Sequence, residues 1–338
     1  MRDVDITGMR LEAMRERLAE LRGDLVHTPV VALQSPVVEA ALEGARVALK
    51  LECFQHSGTF KARGALSVVR HLDASQRERG ITAASAGNHA IAAGWAAAKL
   101  GVSAKVVMQS NASPYRVTLA RATGADVIMK PPGAETFAEA ERLVRDEGRA
   151  FVHPFEGLNT SLGTAGIGLE FLAQVPDLEA VVVSVGGGGL ISGIAAAVKA
   201  INPSCLVYGV EPEGADSMSQ SLAAGAPVTI SQVNTVADSL GPPMALPFGH
   251  ALCSAYVDDV VTISDDLICA GMAVLQQEGK LAVEPAAGAA IAGALGPLRA
   301  RLAGRCVGVV VCGANIDTQT YLKLLTRGQA ALPALISG

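Results

Sequence analysis

Apolar segments that alternate with helix-like segments constrain the fold of this chain more than any other feature. AVVVSV (residues 180–185), CLVYGV (205–210) and CVGVVVC (306–312) are apolar along almost their whole length. Such runs are typical of parallel strands covered on both faces. Parallel strands need crossover connections, and segments such as GLISGIAAAVKAI supply them. The pattern therefore predicts an α/β fold with twisted, mostly parallel sheets flanked by helices.

The overall composition excludes several classes of function. A net charge of −5, with no cluster of Lys and Arg, gives no electrostatic footprint for nucleic acid or an anionic membrane. The six cysteines form no CxxC pair and no zinc-type cluster with histidine. The N-terminal segment is too charged for a signal peptide, and no apolar run reaches the ~18 residues of a membrane span. We therefore expect a cytoplasmic protein.

Four successive glycines give the strongest local signal. Gly186, Gly187, Gly188 and Gly189 lie directly after a predicted buried strand and directly before a predicted helix. Backbone N–H groups of such a loop can converge on an anion at the positive end of the helix dipole. A flexible turn is the alternative, but four glycines are entropically costly for that purpose. The loop matches neither GxGxxG nor the Walker motif, and we predict a phosphate site of another type.

Three other segments have polar residues next to predicted strands or helices. SAGNHA (residues 85–90) opens an Ala-rich helix and could bind a carboxylate, although an ordinary helix cap is an equal alternative. VVVCGANID (309–317) places Cys312 and Asn315 where a strand ends, the usual place for ligands in α/β sheets. HSGTFKARGA (56–65) holds a lone lysine, Lys61, which is either a surface charge or an amine in an apolar pocket.

An amine, a phosphate cradle and a carboxylate loop together suit an aldehyde cofactor that carries a phosphate and reacts with amino acids. At this point the sequence resembles a known family, the fold type II pyridoxal-phosphate enzymes, and among them the threonine/serine dehydratases and serine racemases. The resemblance extends from HTPV (27–30) to CGAN (312–315). Its motifs SGTFKARGA, SAGNHA, SVGGGGL, VEPxxAD, VEPAAGAA and CGAN occur in the family's order.

The resemblance implies a role for each matching residue. Lys61 would be the catalytic residue, which binds the cofactor aldehyde and removes the Cα proton of the substrate. Asn88 would bind the cofactor's phenolic oxygen, and Cys312 would face its pyridine nitrogen. The implied cofactor-binding residues are Phe60, Lys61, Asn88, Gly186, Gly187, Gly188, Gly189 and Cys312. The implied loop for the substrate carboxylate consists of Ser85, Ala86, Gly87, Asn88 and His89.

Several positions depart from the family pattern. Relatives that racemise serine carry a second serine where this chain has Ala86, which cannot transfer a proton, so dehydration is preferred. Glu211 and Ala215 match the metal-binding stretch of relatives, but Ser217 replaces its second acid. A divalent metal such as Mg²⁺ is therefore doubtful. Ser239 replaces a glycine near the expected pocket, so the usual substrates should not be assumed.

The resemblance implies a two-domain enzyme and a homodimer, with residues 75–153 as a small domain inserted in a large one made of 1–74 and 154–338. We expect dehydration of a 3-hydroxy amino acid to a 2-oxo acid and ammonia. Threonine and serine are the default substrates, and 3-hydroxyaspartate or 3-phenylserine are rivals. The alternatives are a serine racemase, a β-replacement enzyme, a non-catalytic protein that binds a phosphorylated ligand and, with least support, a nicotinamide dehydrogenase.

Overall fold

The computed structural model describes residues 4–337 and shows an α/β protein with two sheets. Its strands are β1 Val30–Ala32, β2 Arg46–Lys50, β3 Ile81–Ser85, β4 Ala104–Gln109, β5 Asp126–Lys130, β6 Ala150–Phe151, β7 Ala180–Ser184, β8 Leu206–Pro212, β9 Asp259–Ile263 and β10 Cys306–Val310. Its α-helices are α1 Leu11–Leu21, α2 Pro36–Ala41, α3 Lys61–Arg70, α4 Ala74–Arg79, α5 Asn88–Lys99, α6 Pro114–Ala122, α7 Ala134–Glu147, α8 Leu158–Gln174, α9 Ile191–Ile201, α10 Ser217–Ala224, α11 Pro247–Tyr256, α12 Asp265–Gln277, α13 Pro285–Leu295, α14 Arg299–Leu302 and α15 Thr318–Ser337.

The larger sheet has six strands in the order β1-β2-β10-β7-β8-β9. All neighbouring strands in it are parallel except β1, which pairs antiparallel with β2. The central strands β7 and β10 are buried along their whole length, as their apolar sequences predict. The expectation of a mostly parallel α/β fold is confirmed.

The smaller sheet has four parallel strands in the order β5-β4-β3-β6. Its strands all lie between residues 81 and 151, whereas the larger sheet takes strands from both sides of that stretch in the sequence. This topology is compatible with an inserted small domain at 75–153. The exact boundaries remain a prediction, and residues 1–3 and 338 of the expected large domain lie outside the described part of the chain.

A cluster of buried charges anchors helix α3. The guanidinium of Arg63 donates to the carboxylates of Glu52 and Glu170 at 2.8–2.9 Å, and Lys50 Nζ donates to Glu170 at 2.8 Å. Each of the four side chains is at most 6% exposed, and the two positive charges match the two negative ones. Since α3 begins at Lys61, this neutral cluster holds the helix that carries the predicted catalytic lysine.

Candidate active site

A cleft lies where β7 and β10 of the larger sheet end, and it extends to helix α5, which follows β3 of the smaller sheet. Every residue that the resemblance assigns to cofactor binding lines this cleft. The lining is Phe60, Lys61, Asn88, Phe155, Ser184, Val185, Gly186, Gly187, Gly188, Gly189, Leu190, Ser239, Leu240, Pro242, Glu284, Ala286 and Cys312. The structure thus brings together residues that are far apart in the sequence.

The glycine loop joins β7 to the 11-residue helix α9. Among the described residues, no protein acceptor pairs with the backbone N–H groups of residues 186–189, and three of the four glycines are buried. Buried backbone donors are rarely left without a partner, so these N–H groups indicate a site for an anion. The positive end of the α9 dipole adds to the attraction.

Steric constraints explain why this loop consists of glycines. A Cβ on Gly187 would lie 2.3 Å from the ring of Phe155, and one on Gly189 would lie 2.6 Å from the Phe155 backbone. Gly188 has φ +88°, a conformation that residues with side chains rarely adopt. The loop therefore packs directly on Phe155 and keeps its backbone open to the cleft.

A tight turn before α3 places Lys61 opposite the glycine loop. Gly58 has φ +69°, and a Cβ there would lie 2.6 Å from Asn315 Oδ1. The N–H of Phe60 donates to the carbonyl of Cys312 at 3.0 Å, and the N–H of Ala314 donates to the carbonyl of Gly58 at 3.0 Å. The turn is thus fixed to the segment that follows β10, and Lys61 is held at one wall of the cleft.

The amine of Lys61 is enclosed by protein. Its Nζ donates to the carbonyl of Pro154 at 2.5 Å and lies 5.0 Å from the centre of the Phe60 ring. Burial of the amine lowers the pKa of Lys61 to about 8, although the nearby carboxylate of Glu284 opposes this shift. A substantial fraction of the amine is therefore neutral near physiological pH and can act as a nucleophile or base.

Cys312 is buried at the floor of the cleft, directly after β10. Burial and the nearby carboxylate of Glu284 raise the pKa of its thiol, which therefore stays protonated, and Ser184 Oγ lies 3.5 Å from its Sγ. A neutral thiol is a weak hydrogen-bonding partner for a ring nitrogen and does not hold a proton there. The position of Cys312 opposite the pyridine nitrogen stays a prediction.

Asn88 begins helix α5 and makes contacts that the sequence analysis did not predict. Its Nδ2 donates to both carboxylate oxygens of Glu284, at 2.7 and 2.9 Å, and its Oδ1 accepts from Asn315 Nδ2 at 2.9 Å. Glu284 is 1% exposed and also accepts from Arg116 Nη2 at 3.3 Å. Glu284 precedes Pro285 at the start of α13, so the VEPAAGAA motif held the only sequence signal for it.

The predicted carboxylate loop, residues 85–89, connects β3 to α5. Ser85 Oγ accepts from the N–H of Gly87 at 3.0 Å, and neither Ser85 nor Asn88 caps the helix with its side chain. His89 Nε2 donates to the carbonyl of Val152 at 2.7 Å, and its Nδ1 has no partner among the described residues. His89 lines a smaller cavity behind Lys61, not the main cleft.

The expected metal ligands lie outside the cleft, at the end of β8. The carboxylate of Glu211 accepts from the N–H groups of Met218 and Ser219 at 2.9 and 2.7 Å, and from Ser219 Oγ at 2.6 Å. Ser217 donates instead to a backbone carbonyl, that of Pro242. The start of α10 thus supplies Glu211 with three hydrogen-bond partners, and the doubtful metal site stays untested. Ala215 is buried beside this cluster.

The cleft fits pyridoxal phosphate. The unpaired N–H groups of the glycine loop suit a phosphate, and the enclosed amine of Lys61 across the cleft suits an aldehyde. The four glycines place no side chain between the N–H groups of the loop and a ligand in the cleft. The buried thiol of Cys312 suits an unprotonated pyridine nitrogen. These groups correspond to three distinct parts of one cofactor.

Comparison with known proteins agrees with this geometry. The chain is 48% identical over 285 residues to a phenylserine dehydratase from Ralstonia pickettii, which covers 84% of this chain and 87% of the relative. It is 35% identical over 319 residues to an L-threonine ammonia-lyase from Thermotoga maritima, covering 94% and 78%. The solved structure of maize serine racemase matches with a TM-score of 0.88 at 32% identity, covering 95% of this chain and 98% of the other.

The family model described as "Pyridoxal-phosphate dependent enzyme" matches residues 22–313. This range includes the Lys61 turn, the carboxylate loop, the glycine loop and Cys312. The match covers most of the chain and includes each segment that lines the cleft. The chain therefore belongs to the pyridoxal-phosphate-dependent enzyme family.

Proposed function

We propose that this protein is a lyase that removes water from a 3-hydroxy amino acid and releases a 2-oxo acid and ammonia. One observation carries the proposal: Lys61, whose pKa is about 8, and the glycine loop line the same cleft. The similarity to a phenylserine dehydratase and an L-threonine ammonia-lyase supports the same reaction class.

Different groups around the cleft perform different steps of this reaction. When bound, pyridoxal phosphate supplies the electron sink for cleavage of bonds at the substrate Cα. The backbone of residues 85–89 binds the substrate carboxylate. The neutral amine of Lys61 accepts the Cα proton. The β-hydroxyl leaves as water with a proton that the cofactor phosphate would supply, and the resulting enamine takes up water to give the 2-oxo acid and ammonia. The N–H groups of the glycine loop hold the cofactor phosphate.

Ala86 favours elimination over racemisation. Racemisation requires a second proton donor on the face of the substrate opposite Lys61. The methyl group of Ala86 carries no exchangeable proton. A deprotonated Cα is therefore expected to lose the β-hydroxide before it is reprotonated on the other face.

For the side chain of the substrate we propose an aryl group, as in 3-phenylserine. Phe155, Leu240 and Pro242 give the cleft an apolar wall, and among its described lining residues Lys61 is the sole cation. A second carboxylate, as in 3-hydroxyaspartate, would lack a counter-ion there. The relative at 48% identity is named for phenylserine. Threonine and serine are expected to react more slowly because they leave this wall exposed to water.

One set of assays tests the proposal. The purified protein should show an absorbance band near roughly 410 nm that is lost in Lys61→Ala. It should release 2-oxo acid and ammonia from a panel of 3-hydroxy amino acids, with phenylserine ahead of threonine, serine and hydroxyaspartate. No band in the wild-type protein would reject the enzyme, and D-serine formation from L-serine at a rate comparable to that of pyruvate would favour a racemase.

The setting and assembly of the protein are further parts of the proposal. We propose a cytoplasmic homodimer. The six cysteines are unpaired, which is typical of a reducing compartment. Among the described residues no helix is long and apolar enough to cross a membrane. Light scattering of the purified protein would test the dimer.

A further inference from the structure

A chain of hydrogen bonds determines which way the amide of Asn88 faces. Asn315 Nδ2 donates to the carbonyl of Ser57 at 2.7 Å and to Asn88 Oδ1 at 2.9 Å. The carbonyl of Ser57 can only accept, so the amide of Asn315 is oriented by the backbone. Asn88 must then present its oxygen to Asn315 and its nitrogen to Glu284. If the amide of Asn88 were flipped, its NH₂ group would face the NH₂ group of Asn315, and its oxygen would face the carboxylate of Glu284.

The contact with Glu284 also leaves one N–H of Asn88 available. Both oxygens of the carboxylate lie within 2.9 Å of Asn88 Nδ2. The two oxygens of a carboxylate subtend a much narrower angle at that nitrogen than the two N–H bonds of an amide do. One N–H is therefore shared by both oxygens, and the second points away from Glu284. Among the described residues, the other acceptor within reach is Ser239 Oγ, at a long 3.4 Å, and Asn88, Glu284 and Ser239 all line the cleft.

Arg116 fixes Glu284 from the side of the smaller sheet. Helix α6, which carries Arg116, connects β4 and β5 of that sheet. The guanidinium donates to Glu284 at 3.3 Å, to Asp238 at 2.5 Å and to the carbonyl of Asn315 at 2.8 Å. Arg116 is 5% exposed, and its attraction counteracts the rise that burial causes in the pKa of Glu284.

We infer that Glu284, held by Arg116, is a positioning residue that aims one N–H of Asn88 at the phenolic oxygen of the cofactor. Glu284 itself does not bind the cofactor in this arrangement and acts through the amide it orients. The inference rests on the proposed cofactor chemistry and extends it to two side chains, Glu284 and Arg116. It gives a reason for a buried carboxylate to lie in a cleft that binds an anionic cofactor.

The test compares two cofactors in the full-length apoprotein. The probes are pyridoxal phosphate and its analogue without the phenolic oxygen, and the readout is the dissociation constant from an absorbance titration. Glu284→Gln should weaken binding of pyridoxal phosphate about tenfold or more, the loss expected for a hydrogen bond to a charged group, and should leave binding of the analogue nearly unchanged. An equal loss for both cofactors, or no loss for either, would overturn the inference.

Two further variants separate positioning from general damage. Glu156→Gln is the matched control, because the carboxylate of Glu156 accepts from the N–H groups of Phe248 and Gly249 and makes no contact with Asn88. Any change it causes should be the same for both cofactors. Glu284→Asp keeps the negative charge on a shorter side chain. It takes the place of Glu284→Gln in the test if circular dichroism shows that the Gln variant is unfolded. In an Asn88→Ala background, neither change at 284 should alter the preference between cofactors. A wild-type protein that binds neither cofactor would instead reject the proposed function.

Discussion

The substitution Gly187→Ala tests how tightly the glycine loop is confined. The added Cβ would lie 2.3 Å from two atoms of the Phe155 ring, and a third ring atom lies at 2.6 Å. Ordinary contact between carbon atoms requires about 3.5 Å or more, so the loop or the ring must move by about 1 Å. Overpacking of this kind costs about 1–3 kcal/mol of folding free energy.

Gly187→Ala should weaken cofactor binding in addition to lowering stability. A 1 Å shift of the loop displaces backbone N–H groups from the phosphate, and each lost bond to a charged group is worth about 1.5–3 kcal/mol. We therefore expect cofactor affinity to fall by about tenfold or more. The assays are an absorbance titration for the dissociation constant and urea unfolding of the apoprotein for stability.

Gly23→Ala is the matched control, since a Cβ on Gly23 would meet no atom within 4 Å. It should leave both the cofactor dissociation constant and the unfolding midpoint close to those of the wild type. The reasoning would be refuted if Gly187→Ala bound pyridoxal phosphate as tightly as the wild type does. Loss of stability with unchanged affinity would show that the loop does not hold the phosphate.

Three other predictions concern pH, metal and the buried charges. The neutral amine of Lys61 is the reactive form, and its pKa is about 8. The rate at which the apoprotein captures the cofactor covalently should therefore rise about tenfold per pH unit below pH 8 and level off above it. A rate profile that levels off only near pH 10 would contradict the burial of the amine. Treatment with a chelator should leave activity and thermal stability unchanged, because Glu211 already accepts three hydrogen bonds; restoration of lost activity by Mg²⁺ would show otherwise. Arg63→Met should lower the free energy of unfolding by about 3–5 kcal/mol in urea titrations, because it removes the buried counter-ion of Glu52 and Glu170. A loss below about 1 kcal/mol would contradict this.

The parts of the fold that could be predicted from the sequence are those encoded locally. The buried strands β7 and β10, the Ala-rich helix α5 and the glycine loop each lie within a short continuous segment. Gly101, which follows the C-cap residue of α5, has φ +68°, as a helix-terminating glycine does. Periodicity and turn chemistry suffice for such features because their causes are short-range.

The contacts that organise the site could not be predicted in this way. Asn88 and Glu284 are 196 residues apart in the sequence, and Arg116 and Glu284 are 168 residues apart. Each pair comes from different supersecondary units, so no local pattern indicates that they meet. A Glu followed by Pro signals only a helix start, and Arg116 has the sequence context of an ordinary amphipathic helix. Their role depends on the placement of the two sheets relative to each other. The sequence of either segment alone does not encode that placement.

The choice between elimination and racemisation depends on single side chains more than on the fold. Maize serine racemase has a similar fold, with a TM-score of 0.88, so the fold alone does not distinguish a racemase from a dehydratase. We predict that position 86 decides between the two outcomes, because a hydroxyl there could return a proton to Cα and the methyl of Ala86 cannot. Without that donor, expulsion of the β-hydroxyl is the productive path left to a deprotonated substrate. We therefore expect that a change at position 86 alone would alter the product, while Lys61 and the glycine loop would keep the roles proposed above.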